Sequence, residues 1–239
     1  MLKTHKAYET LKTLILATAK SLSLNNLLEF KTSGDGRLVS AIMETAYLDK
    51  LEESLIKKDK SINIWRPPAR HWFDIMINNI PINLKLTTGG TDNAFNKTAI
   101  TYTLLDGITN DAKIVGFSEW YEFIKANYNS AINRNPFKEY HYLVINKNNP
   151  SKVLFKSILD INTYRSNPSN ILQIRWKHEF NHYTYVLKTA ESYQLKKLEL
   201  LKCIQVSLVK EYKSKRSFID ANLDTDILQC RKGKRRKTM

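Results

Sequence analysis

The alternation of apolar and polar positions between Trp72 and Thr88, written WFDIMINNIPINLKLTT, organises the chain. Two short apolar-rich segments, Phe73 to Ile77 and Pro81 to Thr87, flank Asn78 and Asn79. Both asparagines tolerate tight turns, so the pattern predicts a β-hairpin or a closely joined strand pair. Side chains alternate along a strand, which puts Asn83 and Lys85 on one face and Ile82, Leu84 and Leu86 on the other. Asp74 falls on the first strand. Helical spacing governs two earlier stretches. From Thr4 to Leu22, positions Leu11, Leu14, Ile15, Ala17 and Thr18 predict an amphipathic N-terminal helix. After the turn-rich TSGDGR at Thr32 to Arg37, the segment Leu38 to Lys58 places Met43, Tyr47, Leu48, Leu51 and Leu55 on a stripe about 140° wide. Glu44 lies inside that stripe, whereas Asp49, Glu52 and Glu53 lie opposite it.

Beyond Ile62 to Trp65, the prolines of Arg66-Pro67-Pro68-Ala69-Arg70 forbid a helix and predict extended chain leading to the hairpin. Thr87 to Lys97, TTGGTDNAFNK, reads as a loop broken at Gly89 and Gly90. In Thr98 to Leu105, β-branched and aromatic residues favour a strand, with a helix left open. Ser118 suits the N-cap of a helix reaching about Tyr128. Tyr140 to Ile145 is a strand, Asn146 to Pro150 a turn, and Lys152 to Phe155 the start of the return. Asn167-Pro168-Ser169-Asn170 is a further turn before a strand at Ile171 to Phe180, in which Gln173, Arg175 and Lys177 share a face. A long helix from Thr189 to about Lys213 carries Leu195, Leu198, Leu201, Ile204, Leu208 and Tyr212 at core spacing, decorated by Lys196, Lys197, Lys202 and Lys210. The basic tail at residues 231–239 is expected to be disordered when unbound and to add phosphate affinity.

Composition adds a partner to this picture. The 239 residues carry 38 Lys and Arg against 23 Asp and Glu, a formal charge of +15, with 42% hydrophobic residues. We read one domain over residues 1–239, with a real core. Such a charge suits a polyanion, with nucleic acid preferred over an anionic membrane. No apolar run of about 18 residues is present, and Lys and Glu interrupt the N-terminal segment, so neither a membrane span nor a signal core is expected. The expected location is cytoplasmic. Cys203 and Cys230 are too few for a disulfide framework, and the five histidines show no ligand spacing.

Candidate chemistry centres on the hairpin. A carboxylate (Asp74), an amide oxygen (Asn83) and a lysine (Lys85) on paired strands suit metal-assisted phosphodiester cleavage, in which hard oxygens hold Mg²⁺ and a lysine orients or deprotonates water. The plainer alternative is a solvated strand face. A core-directed Glu44 needs a partner, either a cation such as Arg37 or Arg70 or a metal shared with the hairpin. For DNA, the polar loop residues Thr87, Thr88, Gly89, Gly90, Asn93, Asn96 and Lys97 suit phosphates or base edges. Gln173, Arg175 and Lys177 suit the same partner or a charged edge strand.

The order of helix-borne Glu44, strand-borne Asp74 and Lys85 on the next strand, within about 40 residues, resembles the core of the PD-(D/E)xK nuclease superfamily, in particular type II restriction endonucleases of the EcoRV kind. LVSAIMETAYLDKL is similar to the helix bearing that family's accessory glutamate. NLK followed by TDNAFNK, and the later VINKNNP and NP-x-N-x-LQI-x-W runs, also look like segments of such enzymes, so the resemblance covers roughly residues 38 to 180. It implies an α/β, restriction-endonuclease-like core with a mixed sheet flanked by helices. It further implies Mg²⁺-dependent, sequence-specific hydrolysis of double-stranded DNA leaving 5′-phosphate ends, a homodimer, and a cognate DNA methyltransferase as genetic partner in a restriction-modification system. Asp74, Asn83 and Glu44 would be the metal ligands and Lys85 would act on water. Two positions depart from the pattern. Asn83 stands where the family has an acid, leaving a ligand variant or a weakened enzyme open, and Phe73 stands where proline usually precedes the aspartate. The rival readings are a non-catalytic DNA-binding protein on a nuclease scaffold and a structure-specific repair nuclease.

Overall fold

The computed structural model describes residues 2–22, 36–69, 71–88, 92–105, 116–131, 138–167, 171–181 and 189–214. In chain order the elements are α1 (Leu2–Ser21), α2 (Gly36–Lys58), β1 (Ile64–Trp65), β2 (Ile75–Ile77), β3 (Ile80–Thr87), β4 (Asp92–Ala94), α3 (Lys97–Leu104), α4 (Phe117–Ala131), β5 (His141–Asn146), β6 (Val153–Ser157), β7 (Tyr164–Asn167), β8 (Ile171–Arg175), α5 (Trp176–Glu179) and α6 (Ala190–Ser214). They form two compact units. The first comprises Met1–Thr91, Glu139–Ile158 and Phe180–His182; the second comprises Asp92–Lys138, Leu159–Glu179 and Tyr183–Met239.

The first unit is an α/β layer built on a mixed five-stranded sheet in the order β1-β2-β3-β5-β6. Every pairing is antiparallel except that of β3 with β5, where Ile82 to Thr87 run alongside His141 to Asn146. The hairpin between β2 and β3 turns through Asn78 and Asn79, at φ 44° and 66°. A two-residue turn with both φ values positive follows the right-handed strand twist, and asparagine reaches that region more cheaply than most residues. The Asn78 side-chain oxygen also accepts the Asn63 amide at 2.7 Å, tying the incoming chain to the turn.

Both helices of this unit contribute to one core. Ile15 and Ala19 from α1 and Met43, Tyr47, Leu48, Leu51 and Leu55 from α2 pack with Ile75, Ile77, Ile82, Leu84, Leu86, Leu143 and Ile145 of the sheet. The α2 stripe read from the sequence is the buried one. Removing a side chain such as Leu51 or Leu55 from water contributes roughly 2 kcal/mol each, an upper bound set by an extended unfolded chain. The Tyr47 hydroxyl donates to the Ala19 carbonyl at 2.9 Å, joining α2 to α1.

The second unit has a three-stranded antiparallel sheet, β4-β8-β7, with α6 packed on β7 and β8, and α3, α4 and α6 packed together. It departs from the sequence reading in several places. Of the two readings open for Thr98 to Leu105, the less favoured one holds, a helix over Lys97–Leu104: Asn96 caps α3 by accepting the Thr98 and Ala99 amides, and Thr101 turns its hydroxyl back to the Lys97 carbonyl. Those local bonds outweigh β-branched propensity. The stretch at 87–97 is therefore not all loop, since it holds β4 and the cap. The strand at 171–180 ends at Arg175 and gives way to the short helix α5, so Lys177 leaves the face of Gln173 and Arg175. Helix α6 buries Tyr193, Lys197, Leu200, Ile204 and Leu208, while Leu195 and Leu198 are exposed. The leucine spacing pointed to a stripe rotated from the buried one, and Lys197 is not surface decoration. Smaller shifts are also seen: α4 begins at Phe117, one residue before Ser118, and Ala17 is exposed where Ala19 is buried. The tail, Pro168 to Asn170, Gly89, Gly90 and Arg70 lie outside the described residues. Among the described residues no helix is long and apolar enough to cross a membrane.

Candidate functional site

The first unit's sheet has an edge that begins paired and then opens. Strand β2 pairs only with Ile80 to Ile82 of β3, yet β3 continues to Thr87. Residues that face β2 with their main chain would present bare amides from that point on. The chain fills them in order. Asp74, one residue ahead of β2 and not within it, donates its amide to the Ile82 carbonyl at 2.9 Å. Its Oδ2 then accepts the Leu84 amide at 2.7 Å. The next donor along, the Leu86 amide, hydrogen-bonds the Glu44 carboxylate arriving from α2. Two acids thus meet at one notch because the shorter strand stops early.

Glu44 is half-buried there, and its pKa is raised above the ordinary glutamate value. Loss of water is the main cause. The Lys85 ammonium pulls it back down, the Asp74 carboxylate pushes it up, and the Leu86 amide and the Lys147 ammonium pull it down. The fields of Asp74, Lys85 and Lys147 all reach one carboxylate. The second oxygen of Asp74 makes no hydrogen bond among the described residues.

Asn83 and Lys85 are half-buried and lie on the face opposite Ile82, Leu84 and Leu86, as alternation predicted. The Asn83 side chain hydrogen-bonds the Tyr140 hydroxyl, and that hydroxyl itself donates to the Trp72 carbonyl at 3.1 Å. A hydroxyl whose proton is committed must accept, so Asn83 offers it the amide N–H. That orientation turns Asn83 Oδ1 away, and this buried oxygen has no partner among the described residues. Tyr140 is fully buried, and burial first, then Tyr142 and Asp74, holds its pKa well above the usual phenol value.

These groups suit a hard divalent cation. Among the described residues no cluster of three or more His, Cys, Asp or Glu forms a metal cage. Mg²⁺, however, is commonly held by one or two carboxylates together with water and substrate phosphate. Asp74 and Glu44 could supply the carboxylates, and the Asn83 oxygen, without a partner among the described residues, is a neutral donor of the right hardness.

The sequence marks Lys147 as a turn residue within the VINKNNP run, with no role in the site. It follows β5 directly, and because β5 runs parallel to β3 both strands end on the same side. Its amide donates to the Thr87 carbonyl at 2.8 Å, and Asn148 Nδ2 reaches the Thr88 carbonyl at 3.4 Å. A lysine one residue past the parallel neighbour of the lysine-bearing strand was the signal available.

The proposed DNA contacts divide between the units. Thr87, buried, and Thr88, exposed, close β3 beside the notch. Asn93, Asn96, Lys97, Gln173, Arg175 and Lys177 belong to the second unit. There Asn93 Oδ1 accepts the Trp176 indole N–H at 2.5 Å, Asn96 caps α3, and the Lys97 ammonium sits 4.8 Å from the centre of the Phe117 ring. Arg175 and Lys177 are exposed and Gln173 is half-buried.

Comparison with protein-family models, curated proteins and solved structures finds no match. The class of this site is therefore defined by its own chemistry: an oxygen-rich notch at a sheet edge, faced by two lysines.

Proposed function

We propose that the chain is a Mg²⁺-dependent endonuclease of the restriction-endonuclease-like class, acting on double-stranded DNA at specific sequences as a homodimer, with a cognate methyltransferase protecting the host. The observation that carries this reading is the meeting of Glu44, Asp74 and Lys85 at the open edge of β3; the Asn83 oxygen on the same strand is buried without a partner among the described residues. The +15 charge supports a polyanionic substrate.

In this reading Asp74, Glu44 and Asn83 would hold the cation. When bound, Mg²⁺ would offset charge developing on the phosphate and favour ionisation of water. The Leu84 amide fixes the Asp74 carboxylate through one oxygen, leaving the other to face the ion. Lys85 orients the attacking water and stabilises the charge it acquires. Water adds to phosphorus, the bond to the 3′ oxygen breaks, and the products carry a 5′ phosphate and a 3′ hydroxyl. Two copies related by a two-fold axis would address the two strands of a palindromic site.

Incubating the purified protein with mixed-sequence duplex DNA and Mg²⁺ should yield discrete fragments. Lys85→Ala and Asp74→Ala should each abolish cutting while DNA binding in Ca²⁺ persists. A neutral amide at position 83 favours one second reading, a sequence-specific binding protein without chemistry; a mobility shift with no products over a full Mg²⁺ titration would establish it instead. Cutting confined to mismatches or flaps would indicate a structure-specific repair nuclease. Asn83→Asp should keep Mg²⁺-dependent linearisation of plasmid, and a normal rate for Asn83→Leu would remove Asn83 from the ligand set.

A further inference from the structure

The notch holds two carboxylates, Asp74 and Glu44, and two ammonium groups whose fields reach it, Lys85 and Lys147. With both acids ionised their formal charges cancel, which leaves one divalent cation to make the site positive. A phosphodiester entering it meets a lysine from the strand face and a second from the turn after β5.

That turn is held firmly. Asn146 Oδ1 accepts the Asn148 and Asn149 amides at 2.9 and 3.3 Å, the Lys152 amide donates to the Asn149 carbonyl at 2.8 Å, and the Lys147 amide is fixed to Thr87. Lys147 is half-buried, and its ammonium makes no hydrogen bond or ion pair among the described residues. A positioned cation with no committed acceptor beside a carboxylate site suits an anionic ligand. The three N–H donors of Lys85 sit on one nitrogen, and Lys147 brings a second ammonium from a separate element.

Resting on the nuclease reading above, we propose that Lys147 is a second catalytic lysine, donating to a non-bridging oxygen of the scissile phosphodiester while Lys85 addresses the water. It takes a role that a second metal ion would otherwise fill, which fits a site with an amide in place of a third acid.

The test uses the full-length protein, a short duplex and three variants: Lys147→Gln, Lys147→Met, which keeps the aliphatic stem, and Lys147→Arg. Because the main-chain amide of Lys147 makes the bond to Thr87, each variant retains the fixed turn. The first measurement is DNA affinity in Ca²⁺ against salt. Loss of one phosphate contact should reduce the slope of log K against log salt by about 0.9 in Lys147→Gln and Lys147→Met, with Lys147→Arg close to wild type. The second is cleavage in Mg²⁺, where kcat should fall about 100-fold with KM changed far less, since the contact strengthens as charge builds on the phosphate. The rate loss should persist at every pH. If Lys147 serves only to keep Glu44 ionised, raising the pH restores the rate and the salt slope stays unchanged, and the proposal is overturned. Unaltered slope and kcat in both neutral variants, with an active wild type, likewise overturn it while leaving the nuclease reading intact. A wild type that binds but never cuts, with the slope still reduced in both neutral variants, ends the nuclease reading and keeps Lys147 as a phosphate contact.

Discussion

Glu44 and Glu179 are both glutamates drawn inward, and the contrast between them separates a structural acid from a chemical one. Glu179, fully buried in the second unit, accepts the Asn162 amide at 3.0 Å, the Thr163 amide at 2.6 Å and the Thr163 hydroxyl at 2.5 Å. Its charge is spread over donors that hold the start of β7 against α5. Glu44 has the Leu86 amide, a neighbouring carboxylate that repels it and two lysines in range, and it remains half-buried. A satisfied carboxylate stabilises a fold, whereas one left with spare acceptor capacity beside a second acid is placed to receive a cation. The same contrast runs through the asparagines. The oxygens of Asn93 and Asn96 are bonded within the second unit, while that of Asn83 is buried without a partner among the described residues.

The largest expected effect falls on Asp74. Asp74→Asn retains an oxygen to accept the Leu84 amide, so the edge of β3 keeps its hydrogen bond and the melting midpoint should barely move. The charge that would hold the cation is lost, and cleavage should drop about 1000-fold, or ~4 kcal/mol of barrier. Single-turnover cutting against Mg²⁺ measures it. A variant that cuts within about tenfold of wild type would make Asp74 an edge cap and nothing more, erasing the contrast with Glu179.

Glu179→Ala should do the reverse. The Asn162 and Thr163 amides, both only part-buried, lose their acceptor and can be reached in part by water, so unfolding in urea should show a loss of about 2 kcal/mol. Cleavage per folded molecule should be unchanged. An unaltered urea midpoint would show that these hydrogen bonds do not hold the second unit together.

Glu44→Gln probes the opposite sign. The folded-state pKa of Glu44 is raised, so its contribution to stability is fully present below the unfolded glutamate value and lost as pH rises through the folded one. In the absence of divalent metal, the wild type should therefore melt below Glu44→Gln at neutral pH, and the two should converge in acid. Ca²⁺ should raise the wild-type midpoint more than that of the variant. A gap between the two proteins that does not change with pH would show that the carboxylate is already compensated.

The legible parts of this fold were those where one local rule operated without competition. The hairpin was readable because Asn78-Asn79 sits between two apolar runs, and α2 because Met43, Tyr47, Leu48, Leu51 and Leu55 keep helical spacing over about three and a half turns. Asp74 and Lys85 followed from the hairpin, and Glu44 from its place inside an apolar stripe. Where the reading failed, a nonlocal or capping interaction prevailed. The Asn96 cap made a helix of a β-branched segment. Burial of Tyr193 and Lys197 turned α6 away from the face its leucines suggested. Strand β7 was not foreseen, and nothing local marked it, since its partner β8 supplies the pairing. The notch itself was not legible, because it depends on β2 being shorter than β3, and Lys147 joins it only through the parallel pairing of β3 with β5. Composition gave no boundary between the two units because the second interrupts the first.

The smallest expected effect tests whether the hairpin and the notch are separable. Asn79 holds φ at 66°, where an asparagine carries some strain and glycine carries none, and Asn-Gly is the favoured pair for a turn of this kind. Asn79→Gly should stabilise the protein by about 0.5 kcal/mol, less the extra unfolded-state entropy of glycine. Asn78→Gly removes the acceptor of the Asn63 amide and should lose about 1 kcal/mol, although its own φ of 44° favours the change. Neither residue touches the acids, so cleavage per folded molecule should stay within twofold for both. A tenfold loss in Asn79→Gly would mean that the turn sets the register delivering Asp74 to the Leu84 amide, and that the hairpin belongs to the chemistry as much as the notch does.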